Sequence, residues 1–215
     1  MRRVRLALLI LLAFAGVGDA KGRSAAGDYR LVGEQDVASG LRLEADGRFR
    51  YFLSAGALDE RAEGRWTVAN GLVALVTEPK PVPPQLREEP PRRTDRAKLF
   101  VGVSSADGQG LAGVDLRVGF DDGAPLEAYT QEDGWTLPQG ERRTPRWIEL
   151  SVPMHGLASP RFPIDLAAGN DLAFTLIAND IGVVDFEGMK ISLEKKALIV
   201  ERGGGRLRYE RLGKR

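Results

Sequence analysis

Apolar and polar residues alternate along most of this chain with a period of two. Phe49, Tyr51 and Leu53 alternate with Arg48 and Arg50; Leu41 and Leu43 with Arg42 and Glu44; Val114, Leu116, Val118 and Phe120 with Asp115, Arg117 and Gly119. The same pattern carries Phe162, Ile164 and Leu166, then Leu172, Phe174 and Leu176, then Met189, Ile191 and Leu193, and finally Leu207 and Tyr209. Period two repeated this often predicts half-buried antiparallel strands. Past the N-terminal leader no twelve-residue window has a comparable 3.6-residue stripe, so the expected class is all-β.

Between the alternating runs stand Asp46-Gly47, Asp107-Gly108, Asp122-Gly123, Asp133-Gly134 and Asn70-Gly71. Glycine and asparagine tolerate the positive φ of tight hairpin turns, so these pairs predict strand connections. A calcium loop would need further oxygen ligands at alternating positions and a distal Glu, which these loops lack. The pattern breaks at "PKPVPPQLREEPPRRTD", residues 79–95, where six prolines interrupt any ladder of backbone donors. That segment is expected to be an extended linker between two modules, and its Pro81-x-x-Pro84 match to be part of the spacer.

The first twenty residues alter the picture of where the protein works. Arg2, Arg3 and Arg5 precede an unbroken apolar run from Leu6 to Ala15, and Gly18-Asp19-Ala20 ends on small residues. This is the order of a secretory signal peptide over residues 1–20. Its apolar run makes about 15 Å of helix, half of a roughly 30 Å hydrocarbon core, so no stable membrane anchor is expected. The expected location is periplasmic or secreted. Without the leader 28 basic residues face 29 acidic ones, a balance with no long-range field to gather nucleic acid. The chain has no cysteine, so its stability must come from hydrophobic cores.

Two stretches resemble known families. "SGLRLEADGRFRYFL", "EGRW" and "GLVALV", within residues 27–78, resemble the opening of lipocalin-like envelope domains, with Gly64-Arg65-Trp66 the most specific element. "VGVSSADGQGLAGVDLRV", "TQEDGWTLPQG" and "RWIELSVPMHG", within residues 98–178, resemble the carboxypeptidase-regulatory, transthyretin-like β-sandwich. The first resemblance implies a small antiparallel barrel or half-barrel, the second an accessory sandwich. The five strands of 27–78 would leave an unpaired edge, so residues 182–212, whose ending resembles the last hairpin of lipocalin-like domains, are expected to complete the first module. The alternative is that these strands extend the sandwich.

Counting catalytic residue types excludes more than it suggests. One histidine, His155, and no cysteine rule out a His-rich zinc centre, a thiol nucleophile and a Cys–His pair within one chain. His155 is expected in a strand-end loop at the surface. The transthyretin-like fold also carries an enzyme that hydrolyses 5-hydroxyisourate with several histidines and a Tyr-Arg-Gly-Ser terminus; this chain has one histidine and ends "RYERLGKR", so that activity is not carried over. Ser192 and Lys195 match Ser-x-x-Lys, but on a strand that spacing puts them on opposite faces. "GRFRYF" lacks the two helices of an RNA-recognition fold.

Phe49, Tyr51 and Leu53 are therefore expected as core, with Ser54–Glu63 as a loop leading to the Trp66 strand. Function sits disproportionately on such loops and at barrel mouths, which makes Tyr51, Asp59 and Trp66 the candidate binding residues. No catalytic residue, metal ligand or cofactor is expected. Three functions remain open: a non-enzymatic envelope protein that binds or presents a partner, a carrier of a small apolar ligand in the half-barrel, and a hydrolase. The partner is an envelope protein in the first case and the ligand in the second.

Overall fold

In a computed structural model of the protein, which describes residues 25–213 apart from Gly203, the alternation becomes seventeen strands. The first five, β1 (Gly27–Val32), β2 (Val37–Leu43), β3 (Arg48–Ala55), β4 (Leu58–Ala69) and β5 (Leu72–Thr77), form an antiparallel meander. Nine more follow: β6 (Gln85–Glu88), β7 (Phe100–Ser105), β8 (Asp115–Phe120), β9 (Leu126–Tyr129), β10 (Trp135–Thr136), β11 (Pro145–Val152), β12 (Leu157–Ala158), β13 (Phe162–Pro163) and β14 (Asp171–Ile177). The last three are β15 (Met189–Glu194), β16 (Ala197–Arg202) and β17 (Gly205–Arg211).

Strand β15 pairs with β5 and β17 pairs with β1, both antiparallel, so eight strands close into one barrel in the order β1-β17-β16-β15-β5-β4-β3-β2. Closure removes the two edges that the first meander would otherwise expose. The pleat sorts the residues: Phe49, Tyr51, Leu53, Trp66, Leu75, Ile191, Leu198 and Tyr209 point inward into one buried cluster, while Arg48, Arg50, Arg61, Glu63 and Arg65 face out. An apolar interior with a charged exterior is the reverse of a barrel that faces lipid. The closed eight-stranded architecture is consistent with the lipocalin-like resemblance.

Two hairpins set the register. Asn70 and Gly71, at φ 53° and 77°, join Ala69 to Leu72 in a two-residue turn. Gly56, at φ 59°, opens a second such turn between Ala55 and Leu58. The expected loop at 54–63 is therefore two strands, with Ser54 opposite Asp59, Leu53 opposite Glu60 and Tyr51 opposite Ala62. Charge density suggested a loop, yet Asp59, Arg61 and Glu63 occupy only the outward positions of a continuing alternation. At Gly64 a Cβ would overlap the carbonyl oxygen of Val76 and lie 2.6 Å from the backbone nitrogen of Glu78. That close approach of β5 to β4 explains the glycine of the Gly-x-Trp element.

The middle strands make two further sheets, β10-β7-β14-β6 and β12-β11-β8-β9, with β13 also on β11. Val101 and Val103, Leu116 and Val118, Ile148 and Leu150, and Leu172 and Phe174 meet between them as one core, the arrangement of a β-sandwich. Strands β7 and β14 run parallel, against the antiparallel expectation. A second correction concerns the proline-rich segment. Its four residues Gln85–Glu88 pair antiparallel with β14, Phe174 opposite Glu88 and Ile177 opposite Gln85, so part of the expected linker is an edge strand of the sandwich. The prolines flank this window without entering it, and an edge position tolerates the donors they lack.

The connections leaving and re-entering the barrel run side by side. The Asp180 carboxylate accepts the Val82 amide at 2.8 Å, Asn179 donates to the Pro83 carbonyl at 2.8 Å, and Lys80 reaches Glu187 at 3.2 Å. The expected signal peptide, residues 1–20, lies outside the described residues. Among the described residues no helix is long and apolar enough to cross a membrane.

Candidate functional site

Both connections to the sandwich leave from the same end of the barrel, where the β3–β4 and β16–β17 turns also lie. The returning segment is tied there by Val184 N to Arg61 O at 2.9 Å, Arg61 N to Gly182 O at 2.8 Å and Thr77 Oγ1 to Val184 O at 2.8 Å. These bonds drive the Phe186 ring into the lumen, edge-on to Tyr51 at 5.0 Å and to Phe49 at 5.8 Å between centroids. The described interior is filled by side chains at this level, Phe186 being only 4% exposed.

A polar network lies at the same end. Glu60 and Arg202 occupy inward positions, in phase with Ala62 and Trp66 on β4 and with Leu198 and Val200 on β16. Strands β4 and β16 are not neighbours, so the pair spans the mouth. Arg202 holds both Glu60 oxygens, Nη1 to Oε2 at 2.5 Å and Nη2 to Oε1 at 2.8 Å, while Nη1 also donates to the Tyr51 hydroxyl at 3.3 Å. The Tyr51 hydroxyl donates to Glu60 Oε2 at 3.2 Å. Ser39 gives its proton to the Phe52 carbonyl at 2.6 Å, which leaves the Tyr209 hydroxyl as donor to Ser39 Oγ at 2.8 Å.

Burial pushes the Tyr51 hydroxyl well above the ordinary phenol value, with the nearby Tyr209 and Glu60 adding to the rise and Arg202 opposing it. Burial raises Tyr209 as well. The hydrogen bond to Glu60 raises the Arg202 guanidinium further. At neutral pH the two phenols are therefore protonated donors, and the guanidinium is a fixed cation.

Opposite this mouth stands a short 3₁₀ turn of the sandwich, Pro153–His155, which ends at Gly156 in the left-handed region. A crevice of about 320 Å³ separates the two, lined by Leu58, Glu60 and Arg202 of the barrel, Pro153–Gly156 of the sandwich, and Gly182–Val184 of the returning connection. His155, expected as a surface residue, is half-buried on this crevice.

The three residues expected at the site separate. Tyr51 belongs to the network. Asp59 points outward from β4 and is exposed, because it is out of phase with Glu60. Trp66 is buried nearer the opposite end of the barrel, where its indole donates to the Glu44 carbonyl at 2.9 Å and its amide to Gly47, so it pins the β2–β3 turn. Glu60 and Arg202 were missed. Their signal was a charge at an inward position of the alternation, legible once β4 and β16 are phased. Among the described residues no three His, Asp or Glu side chains converge as a metal site.

A second concavity, about 600 Å³, lies on the outer face of β1–β3, lined among others by Gly40, Phe52 and Leu212, with Arg30, Arg42 and Arg50 around it. Phe52 and Leu212 are half exposed there, 52% and 55%. No protein-family model matches the chain, and no curated protein or solved structure matches it either.

Proposed function

We propose that this is a non-catalytic exported envelope protein, a binding or scaffold module whose recognition surface is the crevice between the barrel mouth and the sandwich. The observation that carries the reading is convergence. Both units and the connection between them build one concavity, and its polar groups are held as donors and a fixed ion pair. Behind the crevice Tyr51 stays protonated and donates to Glu60, Glu60 is engaged on both oxygens, and no serine is among the described residues lining the crevice beside His155, so the groups are arranged to hold a ligand. The resemblance of residues 98–178 to transthyretin-like accessory domains agrees with a module that presents or binds.

A small apolar ligand is a second reading, favoured by the half-exposed Phe52 and Leu212. With the lumen filled by Phe186 and its neighbours, such a ligand would sit in the outer groove. The test is to isolate the protein from its source and examine it by native mass spectrometry, then titrate whatever co-purifies back onto the ¹⁵N-labelled protein. Amide shifts at Leu58, Met154–Gly156 and Val183–Val184, with the ligand recovered unchanged, are expected. Conversion of the ligand, or shifts confined to Phe52 and Leu212, would overturn the proposal.

A further inference from the structure

Arg202 carries five N–H donors in a planar fork. Three have partners: one on each terminal nitrogen points to Glu60, and the second on Nη1 points to the Tyr51 hydroxyl. Because Glu60 takes the fork end-on, the two remaining donors are Nε–H and the outer Nη2–H, which lie parallel on one side of the guanidinium. No described group accepts from them, and Nε is not among the buried side-chain nitrogens without a partner, so Nε–H is open to water and the outer Nη2–H lies beside it. The Arg202 side chain is 33% exposed against 11% for Glu60, and it lines the crevice.

An ion pair across a barrel mouth is a poor stabiliser, since well-packed apolar residues of similar volume hold such a position as well or better. What the pair does provide is orientation: Glu60 and Tyr51 fix the guanidinium plane before anything binds, which lowers the ordering cost of a second contact. From this geometry we propose that the open side of Arg202 is a binding fork for a small forked oxyanion, a carboxylate or phosphate group, admitted through the crevice past His155. The proposal rests on the crevice being the recognition surface, and it adds the ligand's charge and shape. The Arg–oxyanion contact is bidentate and charge-assisted, the strong form of hydrogen bond. The crevice of about 320 Å³ suits one such group on a small molecule or a chain end.

The experiment uses the full mature chain, ¹⁵N-labelled, at constant ionic strength, titrated separately with inorganic phosphate and with succinate. The two arms distinguish a phosphate ligand from a carboxylate one. Expected are saturable shifts of the Arg202 Nε–H and of the Met154–Gly156 and Gly182–Val184 amides, with a dissociation constant on the order of millimolar or tighter. Arg202→Lys keeps a charge without the fork and should weaken binding at least about tenfold, whereas Arg161→Gln, at a residue that pairs with Glu149 and does not line the crevice, should leave it unchanged. If Arg202→Lys does not fold, the wild-type Nε–H shift decides. No saturable shift at Nε–H with either anion overturns the proposal, as does equal binding by a folded Arg202→Lys. A neutral ligand found at the crevice would sink the oxyanion assignment and leave the proposed recognition surface standing.

Discussion

Replacing Phe186 by alanine tests whether the returning connection is a structural part of the barrel. The ring is 4% exposed and packs edge-on against Phe49 and Tyr51, on strands that cannot follow it because they are paired on both sides. Phe→Ala in a core costs about 3–5 kcal/mol, with the upper part reached where the site cannot collapse. Edge-to-face pairs add roughly 0.5–1.5 kcal/mol each beyond area burial. The backbone on either side of Phe186 is held by Thr77, whose Oγ1 donates to Val184 O at 2.8 Å and accepts the Phe186 amide at 3.0 Å, so the cavity stays open. The expected loss is about 4 kcal/mol, which converts to roughly a thousandfold in the opening equilibrium. Native-state hydrogen exchange by mass spectrometry localises it: peptides from β2–β4 and β16–β17 should lose that protection, while those from β8 and β11 should not. Phe186→Leu, which keeps most of the volume but loses both ring pairs, should cost roughly 1–3 kcal/mol, less than the alanine variant. A loss under about 1 kcal/mol in the alanine variant, or equal losses at β8 and β11, would refute the insertion of this ring as the plug of the mouth.

The other predictions concern the sandwich. Replacing Gln85–Glu88 by Gly-Ser-Gly-Ser at constant length should cost it about 2 kcal/mol in urea unfolding, through lost Leu86 packing and pairing on β14; unchanged stability would return the segment to a mere tether. Glu141 is held down to about 2 by the Arg143 guanidinium and by the Arg143 and Arg142 amides. Its folded value lies below its unfolded one, so its contribution is complete above about 4.5 and fades as pH falls toward 2. Arg143→Gln should raise the Glu141 titration seen by carboxyl NMR and flatten the loss of thermal stability over that window; an unmoved titration would refute the attribution.

Much of this protein was determined by the chain alone. A period of two assigned the inward and outward faces of β2, β3, β8, β14, β15 and β17, because the pleat sends successive side chains to opposite sides whatever the neighbours are. Asn70-Gly71 marked its turn for an equally local reason. Local pattern failed where the deciding contact was distant. Gln85–Glu88 reads as proline-rich spacer, and only pairing with β14, some ninety residues on, makes it a strand. Glu60 follows Asp59 directly in a dense run of charge; the phase of β4 separates them, and Arg202, 142 residues away, makes Glu60 part of a mouth. His155 likewise owes its place beside that mouth to the packing of two units. Alternation is a property of each strand by itself, whereas a site built across a barrel mouth depends on closure, and closure requires two meanders separated by more than a hundred residues to meet.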